Sequence, residues 1–344
     1  MSIRNWNAGI IRPVAVAPTG PFQDGAAKGV WTLDQQAFWQ KQGLWPIAGN
    51  VNVRGVFAGG SINDTVIQYL QIGTLGNTTN FGSLTIGGSY GSGCASSTRA
   101  VWGGRGNGYP QSYTMDYITI STTGNAIYFG DINASDGKFE NAAFNSTTRG
   151  VFSGGRPTTT NATASTYYIT IASLGNAVNF GTLSLATTRP SGCSSSTRGL
   201  VCGGYNNAFK NVIDYFTIAT TGNATNFGDI LVPADLTSAA SSSTRGIIFG
   251  GRPSGAQNVI QYVTIATTGN AVDFGDLSIA SQGGAATSNS TRAINALGAN
   301  NSGTEQNVIE YVTIATTGNS ADFGDLLTVN AYLYATSNGN GGLQ

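Results

Sequence analysis

The sequence contains no histidine, which removes the Ser-His-Asp and Cys-His hydrolytic arrangements and the commonest metal ligand together. It carries little charge. Only 9% of residues are charged against the usual quarter, 16 basic residues cancel 16 acidic ones, and no Lys/Arg cluster tracks along the chain. Neither nucleic acid nor an anionic membrane is therefore an expected partner. No stretch approaches the roughly 20 apolar residues needed to cross a bilayer, and no basic segment followed by a long apolar one opens the chain, so no membrane span or signal peptide is expected. Cysteine is scarce: Cys94 and Cys193 hold the same place in two repeats, Cys193 and Cys202 could face each other across a hairpin, and small buried thiols are the simplest expectation. No phosphate loop, zinc spacing or EF-hand series occurs, so no cofactor and no metal is expected.

What is abundant is Gly, Ser, Thr and Asn, within a chain that is 40% hydrophobic. This composition suits many short strands and tight turns, and the class it predicts is all-β. Residues 258–277, NVIQYVTIATTGNAVDFGDL, recur almost letter for letter at 211–230 and 307–326. The run from Val259 to Ala266 is β-branched and aromatic, and Thr267-Thr268-Gly269-Asn270 supplies turn residues, which predicts a β-hairpin. Looser copies bring the total to six, each with a Tyr (Tyr69, Tyr117, Tyr168, Tyr215, Tyr262, Tyr311) and a Phe-Gly (Phe81, Phe129, Phe180, Phe227, Phe274, Phe323).

An arginine keeps the same time: Arg54, Arg99, Arg149, Arg198, Arg245 and Arg292 recur every 45 to 50 residues, the spacing of propeller blades. Small polar segments such as GCSSST (192–197) precede it, and an apolar strand ending in a glycine pair follows it in all but the sixth copy. Each unit thus reads as four strands: a of small residues, b ending in Gly-Gly, c with the Tyr, and d with Phe-Gly. Small side chains suit the innermost strand, where blades converge. The arginines are expected to hydrogen-bond backbone carbonyls or a neighbouring blade's carboxylate. Asp131, Asp229, Asp276 and Asp325, one per repeat after Phe-Gly, read as turn residues or as ion-pair partners of those arginines. The sequons at Asn161 and Asn223 read as turn chemistry rather than glycosylation sites.

The two ends differ from the repeats. Residues 1–46 hold four of the five tryptophans, Trp6, Trp31, Trp39 and Trp45, and a proline-punctuated stretch that predicts an extended arm. Thr32, with Gln35 three positions on, predicts a capping box opening a short helix over 33–42. Trp6, Trp31, Phe38, Trp39 and Trp45 are the candidate partner-docking residues, because aromatic anchors are enriched at interfaces. At the other end, 335–340 (ATSNGN) aligns with the strand-a segment 286–291 and predicts closure of the first blade by the C-terminus, in preference to residues 47–53.

The glycine doublet, the strand-c Tyr and the strand-d aromatic resemble the kelch repeat, from about residue 53 to 341. The resemblance implies an all-β, six-bladed kelch-like β-propeller at 47–344, behind an extended arm and short helix at 1–46. Phe replaces the usual strand-d Trp, and the repeat Arg belongs to this sequence alone. The run GVWTLDQQAFWQKQGLWP (29–46), with YVTIATTGN and DFGDL, resembles segments of marine and cyanobacterial bacteriophage structural proteins. It implies an N-terminal end anchored in a virion, with a distal domain displayed.

In such a fold the a–b and c–d turns share one face and hardly vary, whereas the b–c and d–a connections share the other and vary freely, and recognition is expected there. The candidate ligand residues on that variable face are Arg105, Tyr109, Tyr113, Arg156, Tyr205, Phe209, Lys210 and Arg252. The expected function is a non-enzymatic virion component, as tail fibre or host-recognition protein, forming a homo-oligomer within the particle. The alternatives are a capsid decoration or head fibre, a glycan-binding adhesin, and a glycan-active propeller enzyme using paired carboxylates.

Overall fold

The computed structural model describes residues 53–344 except 63, 107–112, 133–138 and 158–160, and ahead of them residues 32, 34, 35, 37 and 38. Six four-stranded antiparallel sheets form a β-propeller. Blade 4 shows the pattern: strand a is Ser191–Ser194, b is Arg198–Cys202, c is Val212–Thr217 and d is Thr225–Asp229. The first blade is completed by the other end of the chain, as Tyr334–Ser337 pairs with Arg54–Ala58, Ser337 opposite Gly55 and Tyr334 opposite Ala58. The competing segment, residues 47–52, lies outside the described residues.

The core is six interfaces between blades rather than one centre. Val56, Ile67 and Phe81 of blade 1, for example, pack against Ala100, Trp102 and Ile118 of blade 2, and the pattern repeats around the ring. Strand b is buried on both sides, which explains its continuous apolar run where a half-exposed strand would alternate.

The repeated letters are contacts that every blade makes. Each arginine lies over the strand-c tyrosine of its own blade, 4.3 to 4.6 Å from the ring centroid. That tyrosine meets the strand-d phenylalanine edge to face, as in Tyr215–Phe227 at 6.2 Å and 78°. The guanidinium also donates to a carbonyl of the next blade: Arg54 to Ile120, Arg99 to Ile171, Arg149 to Ile218, Arg198 to Ile265, Arg245 to Ile314, and Arg292 to Ile72.

The c–d turn of each blade docks on strand d of the one before. Gly269 N–H donates to the Phe227 carbonyl at 2.8 Å, while Asp229 N–H donates to Asn270 Oδ1 at 3.0 Å. The repeat aspartates therefore act through their backbone, and the partners of the arginines are carbonyls. Asn223 likewise accepts from Thr182 N–H, so it serves the turn. A Cβ on Gly228 would stand 2.3 Å from the Gly269 carbonyl oxygen, and this approach is why glycine follows each phenylalanine.

Around the axis, Ser194, Ser241, Ser288 and Ser337, each closing a strand a, donate their hydroxyls to the preceding blade's carbonyl at 2.5 to 2.8 Å. After Ser337 the chain turns across the a–b face, where Asn340 caps a 3-10 turn at Gly341–Leu343 and exchanges amide hydrogen bonds with Asn145. All three cysteines are buried and free. Thr32 and Gln35 make the reciprocal capping-box bonds, and Asp34, Gln35, Ala37 and Phe38 are helical.

Candidate functional site

On the b–c and d–a face, the residues that open the six a strands form a ring at the mouth of the axial channel: Tyr332, Tyr90, Glu140, Arg189, Leu236 and Gly283. Each has a left-handed φ between 55° and 63°. For residues bearing a side chain this conformation costs about 1 to 3 kcal/mol. The compensation is a closed circle of backbone hydrogen bonds of 2.7 to 3.2 Å, in which each N–H donates to the carbonyl of the preceding blade's ring residue. Main chain fixes these positions, so their side chains are free to differ.

Five charged groups gather on one side of this mouth. Glu140 accepts from Arg156 at 2.9 Å and lies 3.8 Å from Arg189, while Asp235 forms an ion pair with Arg189 at 3.0 Å and accepts from Arg252 at 3.1 Å. The carboxylates lie inside, with side chains 4% and 0% exposed, whereas Arg156, Arg189 and Arg252 are 36%, 20% and 33% exposed. Burial pushes the Glu140 carboxyl above its usual range, against the opposing pull of Arg189 and Arg156. Three guanidiniums over two acids give the cluster a net charge of +1, with its positive side outward.

Aromatic rings flank the cluster. Phe139 lies under Arg156, Tyr205 under Arg189 at 5.3 Å, and Tyr90 stacks on Tyr332 at 4.3 Å. A cup of about 80 Å³ at the mouth is lined in part by Tyr90, Glu140, Arg189 and Tyr332. Beside it, between blades 3 and 4, opens a cleft of about 410 Å³, lined by Arg156, Asn161, Ala162, Thr188, Arg189, Tyr205, Asn206 and Asn207. Arg189 belongs to both.

Of the residues expected from sequence, the structure brings together Arg156, Tyr205 and Arg252, with Phe209 edge to face against Tyr205 at 5.3 Å. Arg105 is a correction. Register with strand c aligns Val101 with Val56, because Val101 pairs with Tyr117 as Val56 pairs with Tyr69, so Arg105 occupies the second-glycine position of the other blades. The Gly103-Gly104 pair has slid one residue forward. Arg105 is consequently 0% exposed and bound at 2.8 Å to the equally buried Asp116, inside the protein and not on the face. Tyr113 is exposed ahead of strand c of blade 2, and Lys210 has its backbone tied to Gly204 and Ala234; neither lines the cleft. Tyr109 lies outside the described residues, as do Trp6, Trp31, Trp39 and Trp45, whereas Phe38 is described and exposed.

Arg189, Glu140, Asp235, Tyr90 and Tyr332 were not legible as site residues. A signal existed: Tyr90, Glu140, Arg189, Leu236 and Gly283 all stand nine residues before the repeat arginine and share no chemistry. Among the described residues no group of three His, Cys, Asp or Glu could hold a metal ion. No protein-family model and no curated protein matches the chain.

Proposed function

We propose that this chain is a non-enzymatic, kelch-like phage virion protein, anchored through residues 1–46 and displaying its propeller as a tail-fibre or host-recognition component. The observation that carries the reading is the division between the two faces. Side chains that recur in every blade make their contacts in the a–b and c–d turns and the blade interfaces, while at the opposite mouth only the backbone ring repeats and non-repeating aromatic and charged side chains gather around it. A scaffold that repeats on one side and differs on the other serves recognition. The fate of the carboxylates supports a binding role over hydrolysis: Glu140 and Asp235 are each engaged by two arginines and serve to hold guanidiniums in place.

The test is removal of residues 1–46 in the phage genome. The expected result is a folded, soluble propeller missing from purified particles. Truncated protein that still co-purifies with virions overturns the anchoring reading, and turnover of a host polysaccharide by the intact protein overturns the non-enzymatic one.

A further inference from the structure

The cleft between blades 3 and 4 has a composition that selects a ligand class. Its outer wall is cationic. Arg156 spends one Nη on Glu140 at 2.9 Å and keeps 36% of its side chain exposed, while Arg189, 20% exposed, is held by Asp235 at 3.0 Å. Because both acids are buried beneath, the ion pairs orient the guanidiniums without cancelling them toward solvent. An approaching carboxylate meets positive charge that has already lost its rotamer freedom, which lowers the cost of binding.

The remaining wall points to a sugar rather than a peptide. Apart from the Tyr205 ring, the apolar lining among the described residues is Ala162 alone, so these residues offer no pocket for an aliphatic or aromatic side chain. Asn161, Asn206, Asn207 and Thr188 supply amide and hydroxyl groups able both to donate and to accept, as ring hydroxyls require. Arg189 lies over one face of Tyr205 at 5.3 Å and Phe209 meets it edge to face at 5.3 Å, which fixes the ring in the cleft wall. The volume, about 410 Å³, falls within the roughly 300 to 1,000 Å³ of small-ligand sites. A polynucleotide would need a basic track, and these arginines form one compact cluster.

We infer that this cleft binds an acidic saccharide, its carboxylate facing Arg156 and Arg189 and a sugar ring lying against Tyr205. The inference rests on reading this face as the recognition face, and it adds the ligand class and the site.

The experiment is calorimetric titration of the full chain with oligogalacturonate and sialyllactose as acidic probes, and with galacto-oligosaccharide and lactose as neutral counterparts. At least one acidic probe is expected to bind, more weakly at higher salt, and its neutral counterpart about tenfold or more weaker. Arg156→Gln and the exposed Asn207→Gly, chosen because Asn207 has a φ of 58° that glycine tolerates, each checked for an unchanged melt, should both weaken the acidic probe, the arginine change by about tenfold or more as expected for loss of a charge-assisted hydrogen bond. Equal affinity for acidic and neutral probes overturns the ligand class. Binding untouched by both substitutions overturns the site, and no binding of any acidic probe at millimolar concentration overturns the inference outright. Each of these outcomes leaves virion attachment, read from particle composition, unaffected.

Discussion

The Arg292 guanidinium, in the last blade, donates to the carbonyl oxygen of Ile72, in the first, at 3.0 Å across 220 residues of chain. The same bond joins every other pair of neighbouring blades, so the seam where the two chain ends meet carries the contacts of an ordinary interface. It carries further ones, since the Asn330 amide donates to the carbonyls of Gly59 and Ile62.

Closure by the C-terminal strand predicts that deleting residues 329–344 strips strand a from blade 1 and exposes its strand b. The melting temperature, followed by circular dichroism, should fall by more than about 10 °C. An unchanged melt would show that another segment closes the ring.

The arginine, tyrosine and carbonyl act together, so a conserved charge is not enough. Arg198 stacks on Tyr215 at 4.4 Å while bonding to Ile265 and Ala266. Arg198→Lys keeps the charge and loses the planar, stacked donor, and urea unfolding should show a loss of about 1 kcal/mol or more.

Two glycines facing each other across a blade interface should respond oppositely. Gly228 has a φ of 153° and no room for a Cβ beside the Gly269 carbonyl, so Gly228→Ala should cost more than about 2 kcal/mol. Gly269 itself has nothing within 4 Å of its missing Cβ, and Gly269→Ala should stay within about 0.5 kcal/mol of the parent. Equal effects would mean that the approach of the two main chains does not explain the Phe-Gly repeat.

Asp214 occupies the buried strand-c position filled by Gln68 in blade 1 and Gln261 in blade 5, all three accepting a backbone N–H from the preceding blade. Burial raises its pKa above the usual carboxylate value, against the hydrogen bonds from Ser184. Between the unfolded and the raised folded pKa the native state holds more protons, so this group's contribution falls as pH rises through that window. Asp214→Asn keeps the acceptor and removes the charge. It should be at least as stable as the parent at neutral pH, with a flatter stability profile from pH 4 upward, as read from denaturant midpoints.

Arg105 and Asp116 form a fully buried pair, and removing one partner strands the other. Arg105→Ala should cost about 3 to 5 kcal/mol, with the double substitution Arg105→Met, Asp116→Leu recovering much of it. A single substitution without effect would mean that Arg105 is reached by solvent.

The fold was legible because each blade makes the same contacts: the Arg, Tyr, Phe-Gly and Gly-Asn letters recur because their partners recur. Position in the ring followed from spacing, closure by the C-terminus from the likeness of 335–340 to 286–291, and the innermost place of strand a from its small residues. What escaped was whatever happens once. The glycine pair at Gly103-Gly104 looked equivalent to the others although it follows its repeat arginine one residue sooner, and pairing with strand c confirms that Arg105 has taken a glycine's place. Arg189 and Asp235 did not stand out, because Arg189 meets its acids in the neighbouring blades on either side, and Asp235 meets Arg252 across 17 residues of its own blade, where local sequence carries no trace of the pairing. The arm at 1–46 follows no repeat: its extended form is read from its prolines and its anchoring role from resemblance, and apart from residues 32, 34, 35, 37 and 38 it lies outside the described residues.

The circle of backbone hydrogen bonds at the channel mouth has a consequence for how such a protein diversifies. Its six positions are seated by their own amides and carbonyls, so the identity of the side chain is not what keeps the residue in place. Tyr, Glu, Arg, Leu and Gly all occupy it already within one chain. Substitution there can rewrite the surface on a fixed frame, and a lineage under pressure to change what it contacts has five such sockets beside Gly283, where a Cβ would stand 2.4 Å from the Tyr332 ring.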